Sequence, residues 1–481
     1  MKAMRIPFFF ILFVFVTAIL PSCISDEVSY SPNDVLTFSA DTLDFDTVFT
    51  DIGTPTARLL VFNRSGKAIN ISSIRMRDND GVFSINVDGV SGDEFNNVEI
   101  RANDSIYVFV ECLIGASDAS KPFEVEGNLD FVTNGVNQTV LLRAYGQNVN
   151  RLRGVTLTHD EIFTPDRPYV VFDTLRVAKG VTLTLLPGTR LLFHDKGFLQ
   201  VDGTLLALGA IGEPISMRGD RLDDVLPNVG YDVLSGQWGG VRFGAESFGN
   251  RMEFVEMQSS VSGVVVDSCG VTDRDKLVLV NSWLHNSQGN VLKSSHAKVD
   301  AYGCCFSDAG EAVVSLTGGN HDFIHCTIAN NYLFAISPES ILTLKHVVDD
   351  EGKECNLPLM NARFANTIIY GMVSPISPGD LEGSNVYLYN VLLGVSGSDD
   401  EHFISCLWDE DPMFETIRSD YLFNYRIKKD SPAIGKGNPE FVTEINSVDM
   451  DGNNRLVEGN PTLGAYARPL SDSETSVFRK E

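Results

Sequence analysis

Two cysteines recur in similar segments of this chain and raise the question of a chemical site. Cys304 and Cys326 stand 22 residues apart, His325 precedes the second of them, and His321 lies four residues earlier. Thiolates and imidazoles are ligands for zinc. Residues i and i+4 lie far apart on an extended strand, however, and no third ligand is in view. The pattern therefore favours a solvated, outward-facing His325 over a metal site.

The cysteine pair belongs to a longer series of blocks that begin at residues 255, 282, 304, 326, 367 and 391. The first position of each block is small or β-branched, and the position two residues later is large and apolar. A period in the twenties predicts a solenoid, in which both columns form interior ladders. The first column is Val255, Ser282, Cys304, Cys326, Thr367 and Val391, and the second is Met257, Leu284, Phe306, Ile328, Ile369 and Leu393.

Within this series the two cysteines are predicted to be stacked core residues that behave as small hydrophobic side chains. Parallel stacking rarely supplies the torsion that a disulfide needs.

The spacing of 41 residues between the fourth and fifth blocks indicates a coil with a long insertion or a skipped coil. Asn286, Asp308 and Asn330 follow the predicted strands, and they tolerate the left-handed backbone that a corner requires.

Residues 35–148 read as short β-branched or aromatic runs separated by Gly, Asn and Asp, which predicts a β-sandwich. Segments such as "LLVFNRSGKAINISSI" and "EGNLDFVTNG" resemble those of immunoglobulin-like domains of bacterial surface proteins. Such domains serve as spacers or interaction modules. The resemblance implies no catalytic role for this part of the chain.

Residues 155–410 resemble the right-handed parallel β-helix proteins of the pectin-lyase-like fold. The phrases that carry the resemblance are "GVTLTLLPGTRLLF", "GQWGGVRFG" and "ANTIIYG". "SPAIGKG" and "GNPTLGAY" resemble the terminal segment of that family, so 411–470 is predicted to cap an open end of the stack, with 471–481 as a polar tail. The predicted fold class is all-β, with a sandwich followed by a parallel β-helix.

The N-terminus resembles a bacterial lipoprotein signal. Lys2 and Arg5 precede an apolar run at 7–20, which is too short for a membrane span, and "LPSC" ends at Cys23. We expect residues 1–23 to be a signal peptide whose cysteine is lipidated, with 24–34 as a tether. The following "ISDEVS" resembles the signal that sends Bacteroidetes-type lipoproteins to the outer face of the outer membrane. The alternative is an ordinary signal peptide with a chance cysteine.

The net charge of −27 argues against a phosphate-rich partner. We therefore expect no nucleic-acid binding. An anionic polysaccharide would need a bridging cation.

Two acidic groups are candidates for catalysis. Enzymes of the resembled family cleave polysaccharides by β-elimination or by hydrolysis with aspartates on adjacent coils. The nearest candidates are Asp349 and Asp350 in "HVVDDEGKEC", and Asp223 and Asp224 in "MRGDRLDDV". Both groups are predicted to lie in loops that leave the stack, where acidic runs are usually solvated.

The sequence therefore predicts a surface-anchored protein with a binding or structural role toward a glycan or a surface protein. The alternative is a polysaccharide lyase or glycoside hydrolase. An enzyme requires carboxylates or a base that converge across neighbouring coils. A binding solenoid presents aromatic residues on one face, for which Tyr302, Tyr332, Tyr387 and Tyr389 are candidates.

Asp449, Asp451 and Asn453 have the alternating oxygen ligands of a calcium loop. Gly452 stands at the fourth place of this loop instead of the sixth, and position twelve is Asn460 instead of a bidentate Glu. A turn within the cap is the favoured interpretation. Calcium remains the one cofactor that the sequence leaves open.

Overall fold

The computed structural model describes residues 27–468, apart from 120, 227, 351–352, 379–380, 382–383 and 457–458. The described chain is almost entirely β-structure. It divides into two compact units, with the division between Asn148 and Val149.

The N-terminal unit consists of two five-stranded sheets around one apolar core. Alternation sets the inner face of each strand: in "SIYVFVEC", Ile106, Val108, Val110 and Cys112 are buried. The strands of the first sheet, in spatial order, are Leu36–Phe38, Ala57–Asn63, Ser105–Cys112, Phe83–Val87 and Val90–Gly92. Those of the second are Thr42–Phe49, Val136–Gln147, Phe123–Thr133, Ile69–Arg77 and Glu94–Ile100.

The second unit is a parallel β-solenoid built on two long sheets. Ten strands form one sheet, in the order Glu161–Phe163, Thr182–Leu185, Thr204–Leu208, Asn250–Glu253, Asp275–Val280, Lys298–Tyr302, Gly319–Ile324, Leu359–Ala365, Val386–Tyr389 and Phe403–Ile404. Seventeen described strands form the other: Asn150–Leu157, Tyr169–Val177, Arg190–Val201, Ile215–Gly219, Gly240–Phe243, Val255–Gln258, Val264–Val266, Trp283–Ser287, Leu292–Ser295, Cys305–Ala309, Val314–Thr317, Thr327–Asn330, Leu342–Lys345, Ile368–Gly371, Ile376–Ser377, Leu392–Leu393 and Leu407–Trp408.

Short elements complete the described chain. Three antiparallel hairpins pair Asp224–Leu226 with Val229–Gly230, Val347–Asp350 with Lys353–Asn356, and Phe414–Thr416 with Asn424–Ile427. Single 3-10 turns lie at Tyr231–Val233, Ser419–Tyr421, Pro439–Phe441 and Glu444–Asn446.

The predicted interior ladder is confirmed residue by residue. Its large apolar column lies in register across six coils and is buried, because parallel stacking repeats the same inward position at every rung. The stacked pairs are Met257 with Leu284, Leu284 with Phe306, Phe306 with Ile328, Ile328 with Ile369, and Ile369 with Leu393. The spacing of 41 is a coil with an insertion, since Thr327 pairs directly with Ile368 and the hairpin of Val347–Asp350 lies between them.

The two cysteines are confirmed as core residues. Cys304 and Cys326 are fully buried in the main apolar core, and both thiols are free. Burial raises the pKa of Cys304 to about 12 and the pKa of Cys326 well above the usual range. These thiols are therefore protonated at neutral pH, which does not suit a metal ligand or a nucleophile.

The predicted corner residues are left-handed at two of three positions. Asn286 and Asp308 have φ of 55° and 63°. Asn330 is buried and exchanges hydrogen bonds with Ala309 instead.

The prediction of a solvated His325 is wrong. Its side chain is fully buried, with Nε2 2.9 Å from Nδ2 of Asn366 and Nδ1 3.5 Å from the Arg455 guanidinium. His325 occupies a second left-handed corner, and the C-terminal chain covers that corner. Burial and the adjacent guanidinium hold the pKa of His325 well below its usual range. His321 also points into the core, and burial lowers its pKa to about 4.

Residues 411–468, here called the C-terminal segment, pack along the side of the solenoid, whereas the sequence suggested a cover for an end. Asparagines at three corners of the same edge donate to its backbone: Asn281 to Val448 O, Asn366 to Asn438 O and Asn390 to Lys436 O. Its apolar side chains share a small core with outward-facing solenoid residues. That core contains Cys305, Ala329, Ile368, Leu392, Phe414, Tyr425, Ile427, Ala433, Met450, Leu463, Ala465 and Tyr466.

Candidate functional site

The outer surface of the ten-stranded sheet carries a ladder of polar side chains on neighbouring coils. Asp300 pairs in register with Asp322, and Asp322 pairs with Arg363 on the next coil. Two residues earlier along the same strands, Lys298, Asn320 and Asn361 form a parallel column. We call these six residues the polar face. Strand alternation places them outward, because their neighbours Val299, Ala301 and Phe323 lie in the core.

Hydrogen bonds tie the polar face together. Arg363 donates Nε and Nη2 to the two oxygens of Asp322, at 2.9 and 2.7 Å. Asn361 Nδ2 lies 3.3 Å from Asp322 Oδ1, and the Asp322 amide donates to Asp300 Oδ1 at 3.2 Å. A bidentate guanidinium–carboxylate pair fixes both partners in one plane. The arrangement therefore offers preoriented oxygen acceptors and N–H donors.

Asp300 has the most perturbed acidity on this face. It is 6% exposed, and burial raises its pKa to about 6. Lys298 Nζ lies 3.7 Å from Asp300 Oδ2 and lowers the pKa of Asp300, whereas the Asp322 carboxylate raises it. Lys298 is also held by Asp275 at 2.6 Å. A carboxyl group that titrates near neutrality beside a second carboxylate is an arrangement that acid–base chemistry uses.

Three tyrosines lie on the same surface of the sheet. Tyr302 and Tyr389 fall in one outward column, and Tyr387 pairs in register with Arg363. All three are half-buried. The rings of Tyr387 and Tyr389 lie 6.0 Å apart, and Phe441 of the C-terminal segment lies 5.5 Å from Tyr389. Three strand spacings of about 4.8 Å separate Tyr302 from Tyr387, so the aromatic residues span roughly 14 Å of the face.

Tyr332, the fourth aromatic candidate, lies elsewhere. It is buried against the seventeen-stranded sheet, and its hydroxyl lies 2.5 Å from Ser235 Oγ. The structure thus brings three of the four predicted tyrosines together and assigns Tyr332 to packing.

The predicted catalytic aspartates do not join the polar face. Asp223 forms a two-point ion pair with Arg221, and Asp224 is exposed in a hairpin, where it accepts from the Asn228 amide. Asp349 and Asp350 lie in the second hairpin, and their side chains fall outside the described part of the chain. Both groups leave the stack, as predicted.

Asp449, Asp451 and Asn453 form a turn held by protein donors. Asp449 Oδ1 accepts from the amides of Asp451 and Asn453, and Oδ2 accepts from the Ala467 amide and the Asn453 side chain. Asp451 is engaged by Arg426. Both carboxylates of the predicted calcium loop are therefore engaged by protein donors. Among the described residues, no group of three or more His, Cys, Asp or Glu side chains is placed to hold a metal.

Cys23, the predicted lipidation site, lies outside the described residues. In the described part of the chain, no helix has the length and apolar character needed to cross a membrane.

Sequence reasoning missed Asp300, Asp322, Lys298 and Arg363. The signal was present, because Asp300 and Asp322 stand 22 residues apart and each precedes a ladder cysteine by four positions. Unlike the acidic runs in the loops, these two aspartates stand singly within strands.

Neither a protein-family model nor a curated protein matches the sequence. Among solved structures, a family 123 glycoside hydrolase from Clostridium perfringens is similar over 24% of this chain and 25% of that one, with 10% identity and a TM-score of 0.16. Vibrio cholerae VesB protease is similar over 23% and 31%, with 11% identity and a TM-score of 0.17. A protein of unknown function from Porphyromonas gingivalis W83 is similar over 26% and 59%, with 9% identity and a TM-score of 0.17.

This chain therefore spans from a quarter to about three fifths of the length of those proteins. TM-scores this low carry no argument about function.

Proposed function

We propose that this chain is a lipid-anchored protein of the bacterial cell surface that binds a glycan, without cleaving it, along the polar face and its tyrosines. In this proposal the solenoid is a right-handed, pectin-lyase-like β-helix, and the N-terminal sandwich is an immunoglobulin-like spacer between membrane and solenoid. Lipidation at Cys23 anchors the chain in the outer membrane, facing outward.

The observation that carries the binding proposal is the combination of Tyr302, Tyr387 and Tyr389 with the hydrogen-bonded polar face. Glycan rings have an apolar C–H surface, which packs on aromatic rings, and hydroxyl groups that need donors and acceptors. Tyrosine supplies both an apolar ring and a polar tip. Asp322, Asn361 and Arg363 supply fixed polar partners beside those rings.

The net charge of −27 favours a neutral or cationic glycan over an anionic one. At the polar face itself Asp300 and Asp322 are matched by Lys298 and Arg363, so this preference rests on the charge of the whole chain. No bridging cation is then required. Binding in the presence of a chelator is the corresponding expectation.

Glycoside hydrolysis is the second candidate, and one observation favours it. Asp300 and Asp322 lie on adjacent coils, and the pKa of Asp300 is raised to about 6, as in a group that donates a proton near neutral pH. Against this role, both oxygens of Asp322 are engaged by Arg363. Binding without cleavage is therefore the better-supported proposal.

A glycan array, probed with and without a chelator, tests this proposal when it is followed by product analysis of every bound glycan. We expect binding to neutral or amino-bearing glycans that persists in chelator, with each bound glycan recovered intact. Shortened products that disappear in Asp300→Asn would support hydrolysis, and unsaturated products would indicate a lyase. An array without any binder would refute the glycan proposal.

A further inference from the structure

A groove at a corner of the solenoid forms a second surface feature, separate from the polar face. It has a volume of about 680 Å³, within the range of small-molecule sites. Four loops or corners from different coils line it, at 179, at 245, 246 and 248, at 268–271 and 274, and at 296. We call it the corner groove.

The corner groove is cationic in a strongly acidic protein. Arg274 and Lys179 are its exposed cations, and Glu246 is the one acidic residue of its lining, paired with Lys179 at 2.6 Å. Arg274 has no ion-pair partner among the described residues, although its guanidinium lies 4.4 Å from the centre of the Phe248 ring. Stacking on that ring leaves the N–H edge of the guanidinium free for a bidentate anion.

A second positive charge lies close to the same ring. Lys276 is fully buried, its Nζ lies 4.8 Å from the Phe248 ring centre, and it donates to the carbonyl oxygens of Gly244, Ala245 and Ser247. These bonds hold the ammonium and the 244–247 loop in one arrangement. Phe248 therefore has two cations near its ring, one exposed and one buried.

The remaining lining is mostly apolar. Ala245, Phe248, Cys269 and Val271 contribute to it, and Val271 is 45% exposed. An apolar wall with unpaired guanidinium at its edge matches a ligand that has an apolar body and one anionic group.

We infer that the corner groove binds an amphipathic organic anion, with its carboxylate or sulfonate on Arg274 and its apolar body against Phe248 and Val271. The site is independent of the glycan proposal, because it shares no residue with the polar face.

Titration with 8-anilinonaphthalene-1-sulfonate tests this inference, followed by displacement with decanoate or with decanol. The chain from residue 24 onward is suitable, since it contains every residue that the structure describes. We expect saturable binding and displacement by decanoate but not by decanol. Arg274→Gln should raise the Kd of decanoate about tenfold, equivalent to about 1.4 kcal/mol, because it removes the charged hydrogen-bond donors to the carboxylate.

Arg153→Gln is the matched control, because Arg153 is also exposed and stacks on Phe172 at 4.5 Å, away from the groove. We expect it to bind decanoate like the wild type. Lys179→Gln, an exposed substitution at the other end of the groove, should weaken decanoate less than Arg274→Gln does. Should Arg274→Gln unfold the chain, a weakened Kd in Lys179→Gln supports the site. Two results would overturn the inference. One is an equal Kd in the wild type and in the groove variants that fold, and the other is displacement by decanol as strong as by decanoate.

Discussion

Asp300 is predicted to destabilise the native solenoid at neutral pH, so that Asp300→Asn stabilises it. Burial raises the pKa of this carboxyl to about 6 from the ordinary 3.8. A raised carboxyl pKa means that the native state holds the proton more tightly than the unfolded chain does. The stability that Asp300 contributes is therefore greatest below about pH 4, falls between about pH 4 and 6, and stays low above pH 6.

The size of the effect follows from the same shift. A difference of about 2 pKa units, at 1.36 kcal/mol each, corresponds to roughly 3 kcal/mol of lost stability at pH 7. Asp300 is 6% exposed, so solvent screening reduces this figure little. The amide oxygen of Asn can still accept from the Asp322 amide, which bonds Asp300 Oδ1 at 3.2 Å.

Urea denaturation between pH 4 and 8 measures this prediction, with Asp275→Asn as the control. We expect Asp300→Asn to gain roughly 3 kcal/mol at pH 7 and almost nothing at pH 4. Asp275 is exposed and contacts the same lysine, so its replacement should change stability by less than about 1 kcal/mol. The reasoning fails if Asp300→Asn is no more stable than the wild type at pH 7, or if its gain is equal at both pH values.

Three further predictions concern the packing of the solenoid. In urea denaturation, Ile328→Ala should destabilise the solenoid by about 2–5 kcal/mol, because its side chain is buried in the interior ladder. Ile336→Ala, at a 73% exposed position, should change stability by less than about 0.5 kcal/mol. Equal losses of stability in the two variants would contradict the interior ladder. Arg455→Met removes hydrogen bonds to Gly464 and Ala465 and should speed amide hydrogen exchange across 433–466, unlike the exposed Lys436→Met. Unchanged exchange would contradict the role of Arg455 in holding the C-terminal segment against the solenoid. Cys304 should resist thiol labelling at pH 8 until denaturant is added, because burial raises its pKa to about 12, and rapid labelling of the native protein would refute its core position.

The interior of the solenoid could be predicted from the sequence because a single stacking rule acts at every coil. Cys304, Phe306, Cys326 and Ile328 repeat two inward positions of one strand, so their spacing sets both register and burial. The insertion that lengthens one coil to 41 residues did not disturb this pattern, since the hairpin leaves the stack and the chain returns to the same register at Ile368.

The outer surfaces could not be predicted by that rule, because they depend on what covers them. His325 was expected to face solvent as a polar residue beside the core strand, yet the C-terminal segment buries it through Arg455. The apolar character of Cys305, Ile368 and Leu392, which alternate with the inner column, was an available sign that this side is covered. Apolar residues on both faces of these strands indicate that a further segment of the chain covers the outer face, as the C-terminal segment does.

The polar face was missed for a related reason. Asp300, Asp322 and Arg363 are single charges within strands, separated by 22 and 41 residues. These three residues become neighbours on the surface because the strand register that aligns the inward side chains aligns the outward ones too.

Isothermal titration of an array-selected glycan against Tyr387→Ala tests the central claim most directly. Loss of the aromatic contact should raise the Kd about tenfold, equivalent to about 1.4 kcal/mol, with the melting temperature nearly unchanged. Tyr107→Ala, at a 44% exposed position of the N-terminal unit, should bind as the wild type does. An unchanged Kd in Tyr387→Ala, or an equal loss in Tyr107→Ala, would contradict glycan binding at this face.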